Sequence, residues 1–380
     1  MAKIAIIGAG MVGSTMALDL AGIHEVALGD LNKAALDLVR ELQPAIQTRV
    51  LDVTNTTTFN HWLKGADLVL CAVPGFLGYS TLQNIIEAGK NCVDISFMPE
   101  DALELNSRAV NRGITVIVDS GVAPGMSNLI LGDHNREMEV HSFTCLVGGL
   151  PLNPEHPFGY KAPFSPLDVI EEYSRPARMI VEGKLQTRPA LSDIETVELS
   201  PVGTLEAFNT DGLRSLLKTM SHIPNMVEKT LRYPGHAALM KVLKDSGFFS
   251  QEKIRMKNGQ ILSPLELSSE LLSRAWQLKP GEGEFTIMEI VLRGRKGSTT
   301  VEIRYHLYDE YDPESGFSSM ARTTGFTATA MVNLVLDGSF RQPGVFPPEI
   351  VGAKQGCLDY ILAYLKERGV NYQRSEKEMN

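Results

Sequence analysis

Charge of one sign never accumulates in this chain of 380 residues, which carries 36 Lys and Arg against 45 Asp and Glu and a formal charge of −9. No basic block interrupts that acidic balance, so nucleic acid is not expected as a partner. Long apolar runs are missing as well, none approaching the roughly 18 residues of a membrane span. The apolar opening Ile4–Ile7 runs into glycines before it could form a signal-peptide core. The expectation is a cytoplasmic protein with no membrane partner. Cysteine is scarce. The four, Cys71, Cys92, Cys145 and Cys357, stand at neither redox-motif nor metal-ligand spacing, which predicts buried, reduced thiols. The eight histidines include no HxxxH or HExxH pair, so no metal is expected. There is no GxSxG elbow to supply a hydrolytic nucleophile, and no internal repeat.

What is there reads as an ordinary globular chain, 43% hydrophobic and 21% charged, with a length that suits two domains of about 100–200 residues. From Lys3 to Val118 short apolar runs alternate with helix-length amphipathic segments, the pattern of a parallel sheet wound with helices. The predicted strands are Lys3–Ile7, Glu25–Leu28, Thr48–Val53, Asp67–Ala72, Asn91–Ile95 and Thr115–Val118. Gly65, Gly89 and Gly113 precede strands, where a left-handed glycine would end a helix. Beyond Asp119 the chain becomes rich in Gly and Pro, which places a domain boundary near Gly121. Farther on, Phe285–Arg293 and Thr299–Leu307 flank a turn at Gly294–Gly297, an antiparallel hairpin within an α+β domain. Helical patterns recur at Phe326–Leu336 and Cys357–Leu365, and the polar tail Gln373–Asn380 reads as frayed.

Directly after the first strand stands Gly8-Ala9-Gly10-Met11-Val12-Gly13, opening a helix. In that setting GxGxxG identifies a dinucleotide turn: Gly8 allows the sharp bend, Gly10 lets a pyrophosphate reach the backbone, and Gly13 lets helix and strand pack closely. The fold class is therefore a Rossmann doubly wound α/β sheet. Asp30 closes the second strand about 20 residues on, where a carboxylate accepts the adenosine ribose hydroxyls and repels a 2′-phosphate. Lys33 is the nearest cation, and the expectation is NAD rather than NADP. As an alternative, Asp30 caps the turn it ends. Asp52 and Val53 end the third strand and are placed beside the adenine, although Asp52 is equally a solvated strand end. Ala72, Val73 and Pro74 end the fourth, where a small, Gly/Pro-rich turn lets the cofactor pass close to the backbone.

The nicotinamide is expected at the later strand ends, beside Asp94-Ile95-Ser96-Phe97 and Asp119-Ser120-Gly121. Asp94 and Asp119 are each either a general base or a turn cap. In Lys229–His236 an Arg, a Tyr and a His fall within eight residues. Arg232 is either a bidentate clamp for a carboxylate or an ordinary salt-bridge partner, and His236 is read as structural. Arg214 and Arg322 are weaker candidates of the same kind.

These segments together resemble the saccharopine dehydrogenase superfamily, and within it the bacterial and archaeal L-lysine 6-dehydrogenases. The resemblance runs along the whole chain: KIAIIGAGMVG at Lys3–Gly13, VDISFMPED at Val93–Asp101, DSGVAPGMSNL at Asp119–Leu129, GGLP at Gly148–Pro151, FGYKAPFSP at Phe158–Pro166, KTLRYPGH at Lys229–His236 and MARTTGF at Met320–Phe326. It implies an α+β substrate and oligomerisation domain, 121–324, inserted into a nucleotide domain made of 1–120 and about 325–380. It also implies that Ser96, Phe97, Val122, Pro124, Arg232 and Tyr233 border cofactor or substrate. Asp30 and Asn128 depart from the NADP-using reductases of the family, where polar or basic residues and a His are usual. The activity implied is NAD-dependent oxidation of the ε-amine of L-lysine to 2-aminoadipate 6-semialdehyde, which cyclises to piperideine-6-carboxylate, with release of ammonia. Asp94 or Asp119 would handle the proton, and Arg232 with Arg214 would hold the α-carboxylate. The alternatives are an opine-type reductase (saccharopine or carboxynorspermidine dehydrogenase) and a non-catalytic NAD-binding sensor. A homo-oligomer is expected from the general frequency of closed assemblies among metabolic enzymes.

Overall fold

The structure is a computed structural model that describes residues 1–161, 166–279 and 281–379. The chain forms two compact units, one of Met1–Met138 and Met320–Asn371, the other of Glu139–Ser319 and the segment from Tyr372. The divisions between the units lie at Met138/Glu139 and Ser319/Met320, whereas joins at 120/121 and about 325 are expected from the sequence. After Asp119 the chain does not leave the first unit but turns into a helix, Met126–Glu137, whose residues 126–132 are all buried there.

The first unit is a parallel sheet of β1 (Lys3–Ile7), β2 (Glu25–Asp30), β3 (Gln47–Val50), β4 (Leu68–Cys71), β5 (Asn91–Asp94) and β6 (Thr115–Ile117). The order is 3-2-1-4-5-6, with a seventh strand, Gly344–Phe346, parallel to β6 at the outer edge. The central strand β4 is 0% exposed at all four residues, as a strand covered on both faces must be. The edge strand β3 is largely exposed. It ends at Val50, short of the expected Val53, because Asp52 instead turns the chain by accepting the Thr54 N–H at 2.9 Å. Helices α1 (Met11–Ala21), α2 (Lys33–Leu42), α3 (Thr56–Leu63), α4 (Gly75–Glu87), α5 (Asn106–Arg112) and α6 (Met126–Glu137) link and flank the strands. Gly89 and Gly113 are left-handed, with φ of +70° and +67°, as expected. Gly65 is not among the positive-φ glycines, because α3 ends at Leu63 in a turn in which Ala66 N bonds Leu63 O at 3.0 Å.

The helices Ser319–Leu336 and Cys357–Glu367 pack within this unit through Asp19 of α1. Its carboxylate accepts from Thr329 Oγ1 at 2.6 Å, Tyr364 OH at 2.7 Å and Arg368 Nε at 2.6 Å. Gly325 lets the first of these helices approach α1, since a Cβ there would lie 3.2 Å from Met16.

The second unit is built on a nine-stranded mixed sheet. Its strands are β7 (Glu139–Pro151), β8 (Ala177–Val181), β9 (Lys184–Arg188), β10 (Glu195–Leu199), β11 (Gly203–Asn209) and β12 (Asn225–Arg232). A small separate hairpin of β13 (Ile254–Arg255) and β14 (Ile261–Leu262) precedes the long pair β15 (Glu284–Lys296) and β16 (Thr299–Glu310). The main order is β10-β11-β12-β7-β15-β16, closed by the strand Tyr372–Glu378. The β15–β16 turn is tighter than expected: Lys296 pairs with Thr299, leaving Gly297-Ser298 as a two-residue loop with Gly297 at φ +60°. Gly294 lies instead where the β15–β7 register shifts. The polar tail is not frayed. It alternates Arg374, Glu376 and Lys377 along an edge strand, and Lys296 Nζ bonds Glu376 at 2.8 Å while Lys377 Nζ reaches Glu302 at 3.0 Å. A charged edge of this kind also resists pairing with other chains. On one face of the sheet, α7 (Pro166–Ser174) and the helices His236–Asp245 and Pro264–Ala275 bury a core with Leu150, Leu205, Leu231, Phe285 and Trp276.

Candidate active site

At the carboxyl edge of the first sheet, Gly8 has φ +101°, and a Cβ on it would lie 2.4 Å from Ala72 O. A Cβ on Gly13 would lie 1.9 Å from Gly8 O, whereas one on Gly10 would meet nothing within 4 Å. Two of the glycines are thus demanded by the fold itself, and the third leaves open space in front of the loop. Gly10 is the extended N-cap of α1 and supplies no side-chain cap, so the first N–H groups of the helix, at Met11, Val12 and Gly13, keep their donor capacity for an anion. The loop fits a dinucleotide pyrophosphate.

Asp30 is half-buried at the end of β2. One oxygen accepts Ala9 N at 2.6 Å and the other Asn32 N at 2.7 Å. It therefore ties the glycine loop to the second strand and also caps its own turn. Lys33 and Arg40 both pair with Asp37. The parallel register sets Val50 of β3 opposite Asp30 and Arg49 opposite Gly29, so Arg49 projects to the other face of the sheet from Asp30. Asp52 is exposed and accepts both the N–H and the hydroxyl of Thr54, which lower its pKa. Val53 is buried, Ala72 is partly exposed, Val73 is buried and Pro74 is exposed at the start of α4.

Asp94 ends β5 and is 0% exposed. Its Oδ1 accepts Ser96 N at 2.9 Å and Ser96 Oγ at 2.6 Å. Cys71 lies beside it on β4. Burial raises the carboxyl to about 7, against the hydrogen bonds from Ser96 and Cys71 and with a further push from the charge of Asp119. The tight packing has a visible cause in Gly78 of α4, where a Cβ would stand 2.4 Å from Ser96 Oγ. Asp119, buried with φ +53°, and Ser120 follow β6, and Ser120 N bonds Asp94 O at 3.0 Å. Val122 and Pro124 are buried and Phe97 is partly exposed. In the next turn Gly125 has φ +140°, and a Cβ there would lie 1.8 Å from Gly121 O. Asn128 caps α6 from within, donating to the fully buried Glu349 at 3.0 Å.

In the second unit Arg232 ends β12 and is 3% exposed. It is not a surface salt-bridge residue. Nη2 donates to Glu172 Oε2 at 2.8 Å, Nε to Tyr173 OH at 3.2 Å and Nη1 to Leu231 O at 2.9 Å, and the guanidinium lies 4.4 Å from the Tyr160 ring centroid. His236 bridges Phe158 O at 2.8 Å from Nδ1 and Tyr173 OH at 2.9 Å from Nε2. Burial, reinforced by the charge of Arg232, lowers its pKa to about 3, so it is a neutral structural imidazole. Facing a carbonyl, Nδ1 carries the proton, and Nε2 accepts from Tyr173. Tyr233 donates its hydroxyl to Pro151 O at 2.9 Å.

Arg214, at φ +43°, is not brought to Arg232. Its loop packs on Glu228, which a Cβ on Gly212 would meet at 1.5 Å, and Glu228 is about 13 Å from Arg232 along an extended strand. The residues that do surround Arg232, namely Glu172, Tyr173 and Tyr160, with Trp276 packed against the two tyrosines, carry no signal of periodicity or spacing. The aromatic content of FGYKAPFSP and the acidic pair before Tyr173 are the only hints. Ala162–Ser165 of that motif lie outside the described residues. Among the described residues no group of three or more His, Cys, Asp or Glu is placed to hold a metal ion, and no helix is long and apolar enough to cross a membrane. All four cysteines are free and buried.

A Rossmann sheet with this glycine loop, joined to a mixed-sheet domain, defines a dehydrogenase that binds a nicotinamide dinucleotide. The chain belongs to the saccharopine dehydrogenase family: the family model described as "Saccharopine dehydrogenase C-terminal domain" matches residues 121–370, and that described as "Saccharopine dehydrogenase NADP binding domain" matches residues 4–117. Saccharopine dehydrogenase [NADP(+), L-glutamate-forming] of Saccharomyces cerevisiae is 25% identical, with 84% of this chain and 88% of that one aligned. Carboxyaminopropylagmatine dehydrogenase of Synechocystis sp. is 22% identical over 97% of this chain and 96% of that one. The solved structure of apo saccharopine dehydrogenase (L-Glu forming) from S. cerevisiae has the same fold, with a TM-score of 0.80 at 20% identity, covering 99% of this chain and 100% of that one.

Proposed function

We propose that this dehydrogenase oxidises the ε-amine of L-lysine with NAD, releasing ammonia and 2-aminoadipate 6-semialdehyde. The observation that carries the reading is the pair of strand-end carboxyls, with Asp94 raised to about 7 by burial and, to a lesser degree, by the charge of Asp119. A proton store poised near neutrality is what amine oxidation requires. The lysine ε-amine has a pKa of about 10.4 and gives up hydride only when neutral, so one proton must leave before the carbon–hydrogen bond breaks. The bound dinucleotide would supply the hydride acceptor. Water then adds to the iminium carbon and ammonia departs, balancing one neutral lysine amine, one water and one oxidised dinucleotide against aldehyde, ammonia, the reduced dinucleotide and one proton. Gly8, Gly10 and Gly13 would hold the pyrophosphate, and Asp30 the adenosine ribose. Asp119 would exchange the proton with Asp94 behind it.

The preference for NAD rests on the Asp30 carboxylate, whose charge opposes a 2′-phosphate. The NADP in the names of the family model and the yeast relative supports the competing assignment. A reductase that joins an amine to a carbonyl compound is the second reading, favoured by the names of the relatives. The deciding assay supplies L-lysine with NAD or NADP at mildly alkaline pH and follows reduced cofactor and ammonia together. Equal amounts of both, with a rate that climbs toward alkaline pH, support lysine deamination. No turnover without an added oxo acid or aldehyde supports the reductase. A cytoplasmic location, which the buried free thiols suit, and a homo-oligomeric state belong to the same proposal; light scattering of the purified protein tests the second.

A further inference from the structure

The polar atoms around Arg232 do not all find partners. A guanidinium has five N–H donors, and three of those on Arg232 are bonded, to Glu172, Tyr173 and Leu231. The other two have no acceptor among the described residues, although the side chain is 3% exposed. Glu172 uses Oε2 for Arg232, and its Oε1 has no hydrogen-bond partner among the described residues. The side chain is 24% exposed, yet burial outweighs the attraction of Arg232 and raises its pKa. A carboxylate that is desolvated but still reachable lines a recess rather than an outer surface. Trp276, 0% exposed, adds a buried Nε1–H with no partner among the described residues, and its ring stands edge-on to Tyr160 at 5.2 Å and Tyr173 at 6.4 Å. Buried donors and acceptors are rarely left unmade without a reason.

The arrangement is also rigid. With His236 neutral and its Nδ1–H given to Phe158 O, the Tyr173 hydroxyl must donate to His236 Nε2 and accept from Arg232 Nε. That fixed polarity holds the guanidinium plane, and Tyr160 supports it from below. What remains free is a cation edge beside an anion oxygen, the complement of an α-amino acid head group with its ammonium and carboxylate on one carbon.

We infer that Glu172 is a substrate-binding residue that receives the α-ammonium group of an amino-acid substrate while Arg232 receives the α-carboxylate. The inference rests on the proposed action on an amino acid but not on which one, because L-lysine and amino-acid products of the reductase reading share the same head group. Tyr173 and His236 act through Arg232 and are positioning residues.

The test is calorimetric titration of the protein saturated with NADH, which blocks oxidative turnover, using two pairs of compounds: L-lysine with 6-aminohexanoate, and L-glutamate with glutarate. Each pair differs by the α-ammonium group. The wild type is expected to bind at least one amino acid about 10-fold or more tightly than its partner, the worth of a charge-assisted hydrogen bond. Glu172→Gln should erase that preference, and Glu172→Asp, which keeps the charge and the pairing, should restore part of it even if the Gln variant folds poorly. Absence of the preference in the wild type, or its survival in a folded Gln variant, overturns the assignment. If L-lysine yields no NADH with NAD while the L-glutamate preference is present and depends on Glu172, lysine deamination fails and the head-group site stands.

Discussion

Asp30 accepts the backbone N–H of Ala9 at 2.6 Å, so the carboxylate proposed to recognise a ribose also braces the loop that would hold the phosphates. Removal of the side chain therefore confounds two effects. Asp30→Ala leaves the Ala9 N–H without its acceptor and is expected to weaken NAD binding by about 10-fold or more, the cost of a lost charge-assisted hydrogen bond. Asp30→Asn keeps an acceptor for Ala9 but removes the negative charge. It should lower the ratio of NAD to NADP affinity while changing melting temperature little. Fluorescence titration with both cofactors measures the ratio, and an unchanged value would remove Asp30 from cofactor choice.

Gly10 and Gly13 separate binding from folding. A Cβ at Gly13 would sit 1.9 Å from Gly8 O, a backbone atom that cannot swing aside, so Gly13→Ala should cost about 1–3 kcal/mol, as overpacking does. A Cβ at Gly10 meets nothing within 4 Å. Gly10→Ala should leave thermal unfolding nearly unchanged yet sharply weaken dinucleotide binding, because the added methyl enters the space needed by the pyrophosphate. If Gly10→Ala binds dinucleotide normally, the phosphates do not approach the loop at that point.

How far the sequence reveals this differs between the two units. The parallel sheet was legible because β4 is an unbroken apolar run and the glycine motif abuts β1, both local features. The seventh strand, Gly344–Phe346, was not, since three residues with one glycine carry no period and join the sheet only through β6. The tail was misread because its charges look solvated until β16 supplies counter-charges across the edge. The same limit applies to the site. The strand-end positions of Asp30 and Asp94 are legible by counting along the chain, whereas Glu172 meets Arg232 across a separation of 60 residues. Arg214, grouped with Arg232 by residue type alone, follows the other end of β11.

Asp94 makes stability fall with rising pH. Its folded pKa is raised from 3.8 to about 7 by burial, so the folded state prefers the protonated carboxyl. The contribution is fully present below the unfolded value and is lost as pH climbs through about 7. Asp94→Asn cannot ionise and retains an oxygen for the Ser96 N–H. Relative to the wild type, this variant should gain stability steadily from pH 4 to pH 7 in thermal melts. A constant difference across that window would mean that Asp94 is already ionised in the folded protein.

Glu302 works in the opposite sense. Its side chain is 1% exposed and meets Arg293 Nε at 2.6 Å, Arg304 Nε at 2.8 Å and Lys377 Nζ at 3.0 Å. Burial would raise its pKa, but the hydrogen bonds from Arg304, Lys377 and Arg293 outweigh it and hold the carboxyl at about 2, against an ordinary 4.5. Stability from this cluster is present above the unfolded value and is lost as pH falls from about 4.5 through about 2. Glu302→Gln leaves three cations facing one another without their anion, so it should lower melting temperature at neutral pH and flatten the acid limb below pH 4.5. Truncation after Asn371 removes only Lys377 from the cluster, together with the edge strand. It should raise the pH at which the acid limb ends and make the limb smaller, because the remaining two arginines hold the carboxylate less strongly and its folded pKa moves back toward the ordinary 4.5. If Glu302→Gln shows the wild-type acid limb, the carboxylate is not the group whose protonation loosens this sheet, and the search would move to Glu289, which faces Arg304 and His306 on the same pair of strands.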